Sequence, residues 1–558
     1  MPIALLKIWL TTPLAAALAA FLLFPGPALA QNIVANPSAE QVAADGTPVA
    51  WGMYVGAGRI KLSAAADQKR SGQRSACLDL MGWYIPPGAA DVPAQHSVSG
   101  AIVLAPNNGY GAGGALPCHP GDSYAFSFWY KGIVPSAAIG ATGWPSAKAD
   151  DTQRIGIAVS GAAIVPSGQW QRCTGRLRIP KGVERFVVMI QVSGKQDAGF
   201  SLGKLYVDDA EILPHNYPDG ELRAVWRGLP KATERDAARR EIATSLDQVQ
   251  SAGLNAIFVW TQSRYLAALD RPELQKFEPQ ARWDVLGELI QAAKKRGIQV
   301  HMWYAPWTYK SSGGAELTDH PDWACVSAQG VASKDGLCLI RPEVRHYELE
   351  LIGRAIDHYP DLAGVHMEEP GFDWGPDFCY CDHCRKFCQQ TFAVDIRQKP
   401  PAAKAMLNNL AAFMGSDFFA RLREMTTSKR PELWLSANGS GGSNPDWYLG
   451  RDWSTWARRG YLDFYVPQLY CQSVEPFVKQ GEATRSCLGD CDMVTGMAVS
   501  WSGIYPARQP PELIAAQIAA ARKLGAKGFC VFHQDYFNDA HFRAIRAVIE
   551  AKSGAAAR

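Results

Sequence analysis

The sequence of 558 residues predicts two domains: an antiparallel β-sandwich over residues 31–215 and a (β/α)8 barrel over residues 216–558. Two observations predict this division. Up to about residue 215, apolar residues alternate with period two in short runs separated by glycine, proline and serine, which is typical of antiparallel strands. Beyond it, amphipathic helical stretches end at a glycine and lead into an apolar run, which is typical of helix–strand units with buried parallel strands.

The barrel region contains eight candidate strands, each separated from the next by enough residues for a helix. They cover residues 222–228, 255–261, 298–306, 364–369, 433–438, 463–470, 494–501 and 528–535. This repetition predicts a closed barrel, in which the reactive groups lie at the carboxyl ends of the strands. A doubly wound sheet is the alternative, but no glycine-rich phosphate loop follows the first strand.

The composition excludes several classes of protein. With 47% hydrophobic and 20% charged residues, the chain is neither disordered nor a small disulfide scaffold. A formal charge of +3, from 56 basic and 53 acidic residues, provides no polyelectrolyte surface for nucleic acid or anionic lipid. We therefore expect an uncharged or weakly charged partner, and the oligomeric state is left open.

Residues 1–30 have the order of a cleavable secretory signal peptide. Lys7 precedes a long apolar stretch, and prolines and small residues that end at Ala30 follow it. Cleavage is expected before Gln31, and no cysteine stands there for a lipid anchor. A retained membrane anchor is the alternative. The sequence thus predicts export to a bacterial periplasm or to the medium, with no membrane contact after cleavage.

The fourth candidate strand ends in two adjacent glutamates. Val365 and Met367 share one face of this strand, whereas His366 and Glu368 share the other face and would point into the barrel. Glu369 follows at the tip. Because desolvation disfavours the charged form, a carboxyl group in this position has a raised pKa and can act as a general acid. A salt-bridged pair at the barrel rim is the alternative interpretation.

Aromatic, amide and imidazole side chains follow the other strands of the barrel. Such groups suit a ligand that is apolar on its ring faces and hydroxylated on its edges, which describes a saccharide. A single histidine in this set is as consistent with a structural role as with a functional one. The candidate saccharide-binding residues are Trp260, Gln262, His301, Trp303, Tyr304, Trp307, His366, Asn438, Gln468, Tyr470, Trp501 and His533.

Glycoside hydrolysis also needs a second carboxyl group. Asp535, after the eighth strand, is the first candidate. A division of roles between Glu368 and Glu369 is the second, and Asp373 is the third. No glutamate ends the seventh strand.

The chain has 13 cysteines. Cys379, Cys381 and Cys384 follow the two glutamates at C-x-C-x-x-C spacing, and Cys338 is the leading candidate for a fourth thiolate. Four such thiolates can hold a structural zinc ion with no open position for substrate. Disulfide pairing is the alternative, since an exported protein meets an oxidising compartment. The candidate bridges are Cys325 with Cys388, Cys118 with Cys173, and Cys487 with Cys491 or Cys471.

The barrel region resembles the glycoside hydrolase family 42 β-galactosidases. This resemblance rests on the order of HPDWACVSAQGVASKDGLCLIRPEVR (320–345), the strand-four glutamates and CYCDHCRKF. It implies a structural zinc site formed by the four cysteines Cys338, Cys379, Cys381 and Cys384, with Glu369 as the acid/base. The chain departs from that family at Glu368, where the family has asparagine, and no matching seventh-strand nucleophile is visible.

The barrel is also similar, over more of its length, to the glycosyl hydrolase-like family 10. The matching segments are RAVWRG, GLNAIFVW, RWDVLGELIQAAKKRGIQVHMWYAP, AGVHMEEP and LDFYVPQLY. That family carries His-x-Asp on its fourth strand, which His366 and Glu368 match with glutamate in place of aspartate. Its sixth strand reads P-Q-x-Y, which Gln468 and Tyr470 match. The two resemblances favour different neighbours, so Glu369 and Glu368 both remain candidates.

The front region resembles the jelly-roll carbohydrate-binding modules that are appended to polysaccharide-degrading enzymes. This resemblance rests on NIVANPSAE, GDSYAFSFWYKG and YVDDAEIL. It implies the sandwich fold and a sugar-binding role, with Trp51, Trp83 and Tyr84 as candidate stacking residues.

Together these patterns predict an exported glycoside hydrolase that cleaves a polysaccharide or oligosaccharide by carboxylate acid/base chemistry, without an organic cofactor. One rival is a non-catalytic saccharide-binding protein on a degenerate barrel, which the missing second carboxylate favours. The other rival is a zinc hydrolase such as a deacetylase, in which histidines and Asp535 hold a catalytic metal.

Overall fold

The computed structural model of the chain contains the two predicted folds, a β-sandwich followed by a closed parallel barrel. Among the residues that it describes, no helix is both long enough and apolar enough to cross a bilayer. The described residues are 32–82, 96–104, 110–161, 163–196, 203–307, 317, 319–372, 378–398, 401–446, 449–501 and 508–556.

The sandwich consists of two antiparallel sheets. Its strands are β1 (Trp51–Ala57), β2 (Arg59–Ala65), β3 (Ser75–Gly82), β4 (His96–Leu104), β5 (Leu116–Pro117), β6 (Ser123–Ile133), β7 (Ser136–Trp144), β8 (Ile155–Ile157), β9 (Val159–Gly161), β10 (Gln171–Arg178), β11 (Arg185–Gln196) and β12 (Gly203–Pro214). One sheet has the order β1-β4-β11-β7-β8, with β5 beside β11, and the other has the order β2-β3-β12-β6-β10-β9. Alternate apolar residues, such as Phe128 of β6 and Ile190 of β11, are fully buried between the sheets, as the period-two pattern predicts.

The barrel closes because its last strand pairs with its first. The remaining strands are β13 (Leu222–Arg227), β14 (Ala256–Trp260), β15 (Gln299–Tyr304), β16 (Ala324–Val326), β17 (Ala332–Leu337), β18 (Gly364–Met367), β19 (Trp434–Ser440), β20 (Phe464–Gln468), β21 (Asp492–Ala498) and β22 (Gly528–Phe532). The barrel order is β13-β14-β15-β18-β19-β20-β21-β22, while β16 and β17 form a separate hairpin. All eight predicted strands are present, so the predicted (β/α)8 architecture is confirmed.

Helices cover the outside of the barrel. They are α1 (Arg235–Ser251), α2 (Ser263–Asp270), α3 (Val285–Lys294), α4 (Pro342–His358), α5 (Asp382–Phe392), α6 (Pro401–Lys429), α7 (Trp453–Arg458), α8 (Val474–Cys487), α9 (Pro511–Lys523) and α10 (Asp539–Ala556). Gly253, after α1, and Gly525, after α9, have φ values of +75° and +71°. This left-handed conformation turns the chain from helix to strand, as the repeated helix–glycine–strand pattern predicts.

The side chains of β18 alternate as the sequence predicts. Val365 and Met367 belong to the apolar layer under the helices. His366 faces the barrel interior, where its ring centroid lies 4.3 Å from that of Phe258. The next inward position along the chain is that of Glu368, so the strand delivers this carboxyl group to the carboxyl end of the barrel.

The sandwich docks on the amino ends of the barrel strands. Arg176 of β10 forms an ion pair with Asp463, which immediately precedes β20, and donates to the carbonyl oxygen of Pro431 at 2.5 Å. The ring of His215 stacks on Trp434, the first residue of β19, with 3.7 Å between centroids. The sandwich therefore covers the end of the barrel opposite to the one that carries Glu368.

Replacing Arg176 by alanine is expected to lower the free energy of unfolding by about 2 kcal/mol, because the largely buried carboxylate of Asp463 loses a charge-assisted hydrogen-bond donor. The control is Arg178→Ala, since Arg178 is 47% exposed and lies 3.7 Å from Asp492; its loss is expected to cost less than about 1 kcal/mol. Urea unfolding followed by tryptophan fluorescence measures both. Equal losses in the two variants would contradict an anchoring role for Arg176.

Candidate active site

Two hydrogen-bond donors hold Glu368 directly after β18. The indole N–H of Trp303, on β15, and Nδ2 of Asn438, on β19, both donate to Oε2 of Glu368, the second at 2.6 Å. The backbone N–H of Glu368 donates to the carbonyl oxygen of Tyr304 at 2.8 Å. Three adjacent strands therefore fix one carboxyl oxygen, while Oε1 has no hydrogen-bond partner within the described part of the chain.

The surroundings of Glu368 favour its neutral form. Its pKa is raised to about 8, first by burial and second by repulsion from the carboxylate of Glu369. The hydrogen bonds from Asn438 and Trp303 and the charge of Arg451 act in the opposite direction but are weaker. Glu368 is therefore protonated at neutral pH, which is the state that a general acid needs.

Glu369 has a different environment although it is the next residue. Its φ of +33° places it in the left-handed region and interrupts the alternation of the strand. Its Oε2 lies 3.0 Å from Nη1 of Arg451, and its backbone N–H donates to Oδ1 of Asn438 at 2.9 Å. Arg451 also approaches Asp446 at 4.0 Å. The rim salt bridge that the sequence left as an alternative thus describes Glu369 but not Glu368.

Aromatic side chains from five strands form a connected group, here called the aromatic belt. The ring of Trp303 lies 4.6 Å from that of Trp260 and 6.4 Å from that of His533, and the ring of Tyr470 lies 5.7 Å from that of Trp501. Phe532 lies 6.3 Å from Trp303 and 5.9 Å from Tyr470 and so joins both parts. The belt therefore includes the indole that binds Glu368. Its members are Trp260, Trp303, Tyr470, Trp501, Phe532 and His533.

The two predicted glutamines lie at the same end of the barrel. Gln262 immediately precedes α2 in the loop after β14, and Gln468 is the last residue of β20. Both side chains are partly exposed. They remain candidates for hydrogen bonds to a ligand.

Four predicted saccharide-binding residues are buried and do not line the mouth of the barrel. His301 and His366 are fully buried, because inward residues stack in layers along each strand and only the last one lies at the mouth. Tyr304 points outward, and its hydroxyl binds Glu348 of α4. Trp307 is 1% exposed and its indole N–H donates to the carbonyl oxygen of Gly371 at 3.0 Å. The prediction that these four residues bind saccharide is wrong.

Asn438 also differs from its predicted role. It is 2% exposed, and its amide group is occupied at both ends by the two glutamates. It holds the carboxyl group of Glu368 and the backbone of Glu369 instead of offering its side chain to a ligand.

Asp535 lies on the other side of the aromatic belt, beside His533. Its carboxylate forms a 2.9 Å ion pair with Lys231 and lies 4.0 Å from Nδ1 of His533. Although burial opposes ionisation, the hydrogen bond from Lys231 and the nearby positive charges lower the pKa of Asp535. Burial lowers the pKa of His533 to about 4. No contact within the described residues joins Asp535 to Glu368, and Asp373 lies outside those residues.

Three thiol groups of the segment that follows the glutamates meet the thiol group of Cys338, which follows β17. The Sγ atoms of Cys338, Cys379, Cys381 and Cys384 all lie within 4.8 Å of one another, and all four residues are buried. The Sγ atom of Cys384 lies 3.4 Å from that of Cys338 and 3.5 Å from that of Cys381. A disulfide needs about 2.05 Å, whereas Zn–S bonds of about 2.3 Å place the corners of a tetrahedron about 3.8 Å apart. The spacing therefore fits a tetrahedral metal site.

Within the described residues no two cysteines form a disulfide bond, so none of the candidate bridges is present in this structure. Two of the thiol groups point toward backbone carbonyl groups. Sγ of Cys325 donates to the carbonyl oxygen of Leu337 at 3.2 Å, and Sγ of Cys487 donates to that of Ser443 at 3.6 Å. Cys325 also interacts with the thiol groups of Cys338 and Cys379.

In the sandwich, the predicted stacking role of Trp51 is wrong. Trp51 is 2% exposed, and its indole N–H donates to the carbonyl oxygen of Asn36 at 2.7 Å. Trp83 and Tyr84 lie outside the described residues. Sugar binding by the sandwich stays a prediction.

Sequence reasoning missed Arg451. It lies in the loop between β19 and α7, yet its charge pairs with a glutamate after β18. No motif marks this pairing, because the loop after β19 meets the end of β18 only once these two strands have paired. The need of two adjacent glutamates for a basic partner is the one signal that could have pointed to Arg451.

A closed (β/α)8 barrel that holds a protonated carboxyl group at the carboxyl end of its fourth strand has the architecture of a glycoside hydrolase. The family model described as Glycosyl hydrolase-like 10 matches residues 221–499, and the chain belongs to this family. The match begins just before β13 and includes the strand-four glutamates. The resemblance of the barrel to this family is thereby confirmed, while the resemblance to family 42 stays a prediction.

Individual relatives are distant. "Glycosyl hydrolase YngK" of Bacillus subtilis (strain 168) is 24% identical over 196 residues, which are 29% of this chain and 36% of that protein. The chain thus spans about a third of the length of this curated relative. Among solved structures, α-L-fucosidase isoenzyme 2 from Paenibacillus thiaminolyticus is 16% identical over 60% of this chain and 50% of its own (TM-score 0.44). The xylanase 10B CBM22-1–GH10 modules from Clostridium thermocellum, complexed with xylohexaose, are 13% identical over 93% and 98% (TM-score 0.34).

The raised pKa of Glu368 makes folding stability depend on pH. The neutral carboxyl group suits the folded state, so its stabilising effect is complete below the ordinary glutamate pKa of about 4.3 and is lost as the pH rises through about 8. Glu368→Gln removes this titration. We expect the free energy of unfolding, measured by urea titration between about pH 5 and pH 9, to fall less in the variant than in the wild type. An equal fall in both proteins would contradict a buried, neutral Glu368.

Proposed function

We propose that the chain is an exported glycoside hydrolase in which Glu368 is the general acid. The single observation that carries this proposal is the environment of Glu368: a protonated carboxyl group, fixed by Trp303 and Asn438, beside the aromatic belt. Membership of the Glycosyl hydrolase-like 10 family supports the reaction class. The competing candidate, Glu369, is engaged by Arg451 instead.

The hydrogen bonds also select the oxygen that carries the proton. Oε2 accepts two N–H donors, and an oxygen in that situation is the unprotonated one of a neutral carboxyl group. The proton therefore resides on Oε1, from which it passes to the glycosidic oxygen as the bond to the leaving group breaks. The charge that remains on Glu368 is then stabilised by the same two donors.

A second, ionised carboxyl group completes the reaction. Asp535 meets the requirement of charge, since Lys231 and His533 help to lower its pKa. Glu369 is the alternative, because its carboxyl group forms an ion pair with Arg451. Asp535→Asn and Glu369→Gln distinguish them, since loss of the true base or nucleophile abolishes turnover. If Glu369 is not that group, Glu369→Gln keeps turnover and moves the alkaline limb to lower pH, because the repulsion that raises the pKa of Glu368 is removed.

The aromatic belt supports a saccharide substrate. Trp260, Tyr470 and Trp501 are partly exposed and come from three different strands around the end of the barrel. Flat aromatic faces bind the apolar faces of sugar rings, and the amides of Gln262 and Gln468 can bind ring hydroxyls. The substrate class is therefore a polysaccharide or oligosaccharide.

Glu368→Gln is expected to lower kcat on a cleaved glycan by about 10²- to 10⁴-fold, because the proton donor is lost while the carboxyl shape is kept. In the wild type, kcat/KM is expected to fall above about pH 8, where Glu368 ionises. A glycan panel with reducing-end detection measures both. The matched control is Glu512→Gln on the exposed face of α9, which is expected to behave as wild type. Binding without turnover by the wild type would favour the rival, a non-catalytic saccharide-binding protein.

We also propose that the four clustered thiols hold a structural zinc ion. The support is their spacing and burial, together with backbone N–H groups that donate to sulfur: Val326 to Cys379 at 3.4 Å and Cys384 to Cys381 at 3.5 Å. Such donors stabilise thiolates. An all-thiolate set leaves no open position on zinc, so the ion would tie the β16–β17 hairpin region to the start of α5 and take no part in bond cleavage.

Cys338→Ser is expected to remove about one zinc ion per chain and to lower the thermal midpoint, because three thiolates hold zinc less well than four. Cys388→Ser, one helical turn beyond Cys384 on α5, is the control and is expected to keep the metal. Elemental analysis after dialysis measures the metal content. Zinc that is retained in Cys338→Ser but lost in His533→Ala would instead favour the rival zinc hydrolase.

Export belongs to the proposal because residues 1–30 carry the charged, apolar and small-residue order of a signal peptide. The mature protein recovered from the periplasm or medium is then expected to begin at Gln31. Protein that keeps its first residues and stays with the cytosolic fraction would contradict export.

A further inference from the structure

Trp307, three residues after β15, connects three other segments of the barrel. Its backbone N–H donates to Oε1 of Glu348, on α4, at 2.8 Å. Its carbonyl oxygen accepts the N–H of Leu337, at the end of β17, at 2.8 Å. Its indole N–H donates to the carbonyl oxygen of Gly371 at 3.0 Å. The backbone and the side chain of one residue thus join the loops after β15 and β18.

The conformation of Trp307 is strained and buried. Its φ is +40°, in the left-handed region that a tryptophan rarely adopts. The ring is 1% exposed and packs edge-on against Phe418 of α6, with 4.5 Å between centroids. Strain of this kind persists only where the surroundings over-determine it, and it concentrates at functional sites.

Gly371, the acceptor of the indole N–H, lies two residues after Glu369. A Cβ atom at Gly371 would lie 2.5 Å from the carbonyl oxygen of Leu449 and 2.6 Å from Cγ of Arg451. The backbone N–H of Phe372 donates to the same carbonyl oxygen of Leu449 at 2.6 Å. The segment that follows the glutamates is therefore pressed against the loop that supplies Arg451, and Trp307 fixes it from the other side.

Glu348 anchors this arrangement from the helix layer. It is fully buried, and its carboxylate accepts both the hydroxyl of Tyr304 and the backbone N–H of Trp307. Tyr304 in turn supplies the carbonyl oxygen that binds the N–H of Glu368. Two routes of hydrogen bonds therefore lead from Glu348 to the paired glutamates, one through β15 and one through the indole of Trp307.

We propose that Trp307 is a positioning residue of the hydrolase: its indole N–H holds the segment 369–371 against Arg451 and thereby fixes the carboxyl group of Glu368. This inference rests on the proposed function of Glu368. It gives a role to a residue that touches no substrate.

The test is Trp307→Phe, which keeps a large ring against Phe418 but removes the donor to Gly371. We expect kcat to fall about 10- to 100-fold, as misplacement of a catalytic group by about 1 Å does, while KM changes less than about twofold. The alkaline limb of the pH profile is expected to move to lower pH. Burial and the charge of Glu369 are the two causes that raise the pKa of Glu368. Relaxation of the segment 369–371 weakens both causes, because it admits water and moves Glu369 together with Arg451.

The matched control is Trp456→Phe. Trp456 is also 1% exposed, its indole N–H donates to Ser416 at 3.1 Å, and its ring stacks on Phe419 at 4.0 Å. Both variants are expected to lose similar thermal stability, but only Trp307→Phe is expected to change kcat and the pH limb. If Trp307→Phe loses stability like the control and keeps the wild-type kcat and pH limb, the proposal is overturned. The second variant is Glu348→Gln, which weakens the acceptor of the Trp307 N–H. Like Trp307→Phe, it is expected to lower kcat and to move the alkaline limb of the pH profile to lower pH.

A second readout separates this inference from the proposed function. The contribution of Glu368 to the pH dependence of the unfolding free energy is measured by the difference between each protein and the same protein that also carries Glu368→Gln. We expect Trp307→Phe to reduce that difference, and Trp456→Phe to leave it unchanged, even if no glycan is cleaved. An unchanged difference in Trp307→Phe would overturn the positioning role, whereas absence of turnover in the wild type would overturn only the proposed function.

Discussion

The hydrogen bonds from Trp303 and Asn438 to one oxygen of Glu368 are the interaction on which the site depends. Their donors lie on the strands to either side of β18, so the two hydrogen bonds form only when β15 and β19 have paired with β18. Burial keeps water from competing for the carboxyl group, and the same burial disfavours its charge. One arrangement thus accounts for the position, the favoured neutral form and the free oxygen of Glu368, which are the three properties that the proposed proton transfer requires.

The contrast between Glu368 and Glu369 comes from the backbone. Regular alternation directs Glu368 toward the barrel interior, and the left-handed φ of Glu369 directs the next side chain toward Arg451. Two residues of the same type therefore have opposite electrostatic roles: one is a neutral donor, and the other is half of an ion pair. This difference also separates the two family resemblances, since the position favoured by the Glycosyl hydrolase-like 10 pattern is the one with the raised pKa.

The fold was predictable because its signals are local and periodic. The sequence of each helix–glycine–strand unit predicts the local structure of that unit, and eight such units can pack together in only a few ways. The site was only partly predictable. Alternation identified Glu368, and spacing identified the four clustered cysteines. Alternation does not show how far along the barrel axis an inward side chain lies, so His301 and His366 were expected at the mouth, whereas they lie below it. Arg451 and the hydrogen bonds of Trp307 depend on loops that meet only in three dimensions, and no sequence pattern records them.

The sandwich docks at the amino ends of the barrel strands, and this position limits what the two domains can contact together. Stacking of His215 on Trp434 and the Arg176–Asp463 pair fix the front domain at the amino ends of the barrel strands, whereas Glu368 lies at their carboxyl ends. A sugar chain would have to run along the outer wall of helices to touch both ends at once. A sugar bound by the front domain, as the sequence predicts, would therefore lie at the opposite end of the barrel from Glu368.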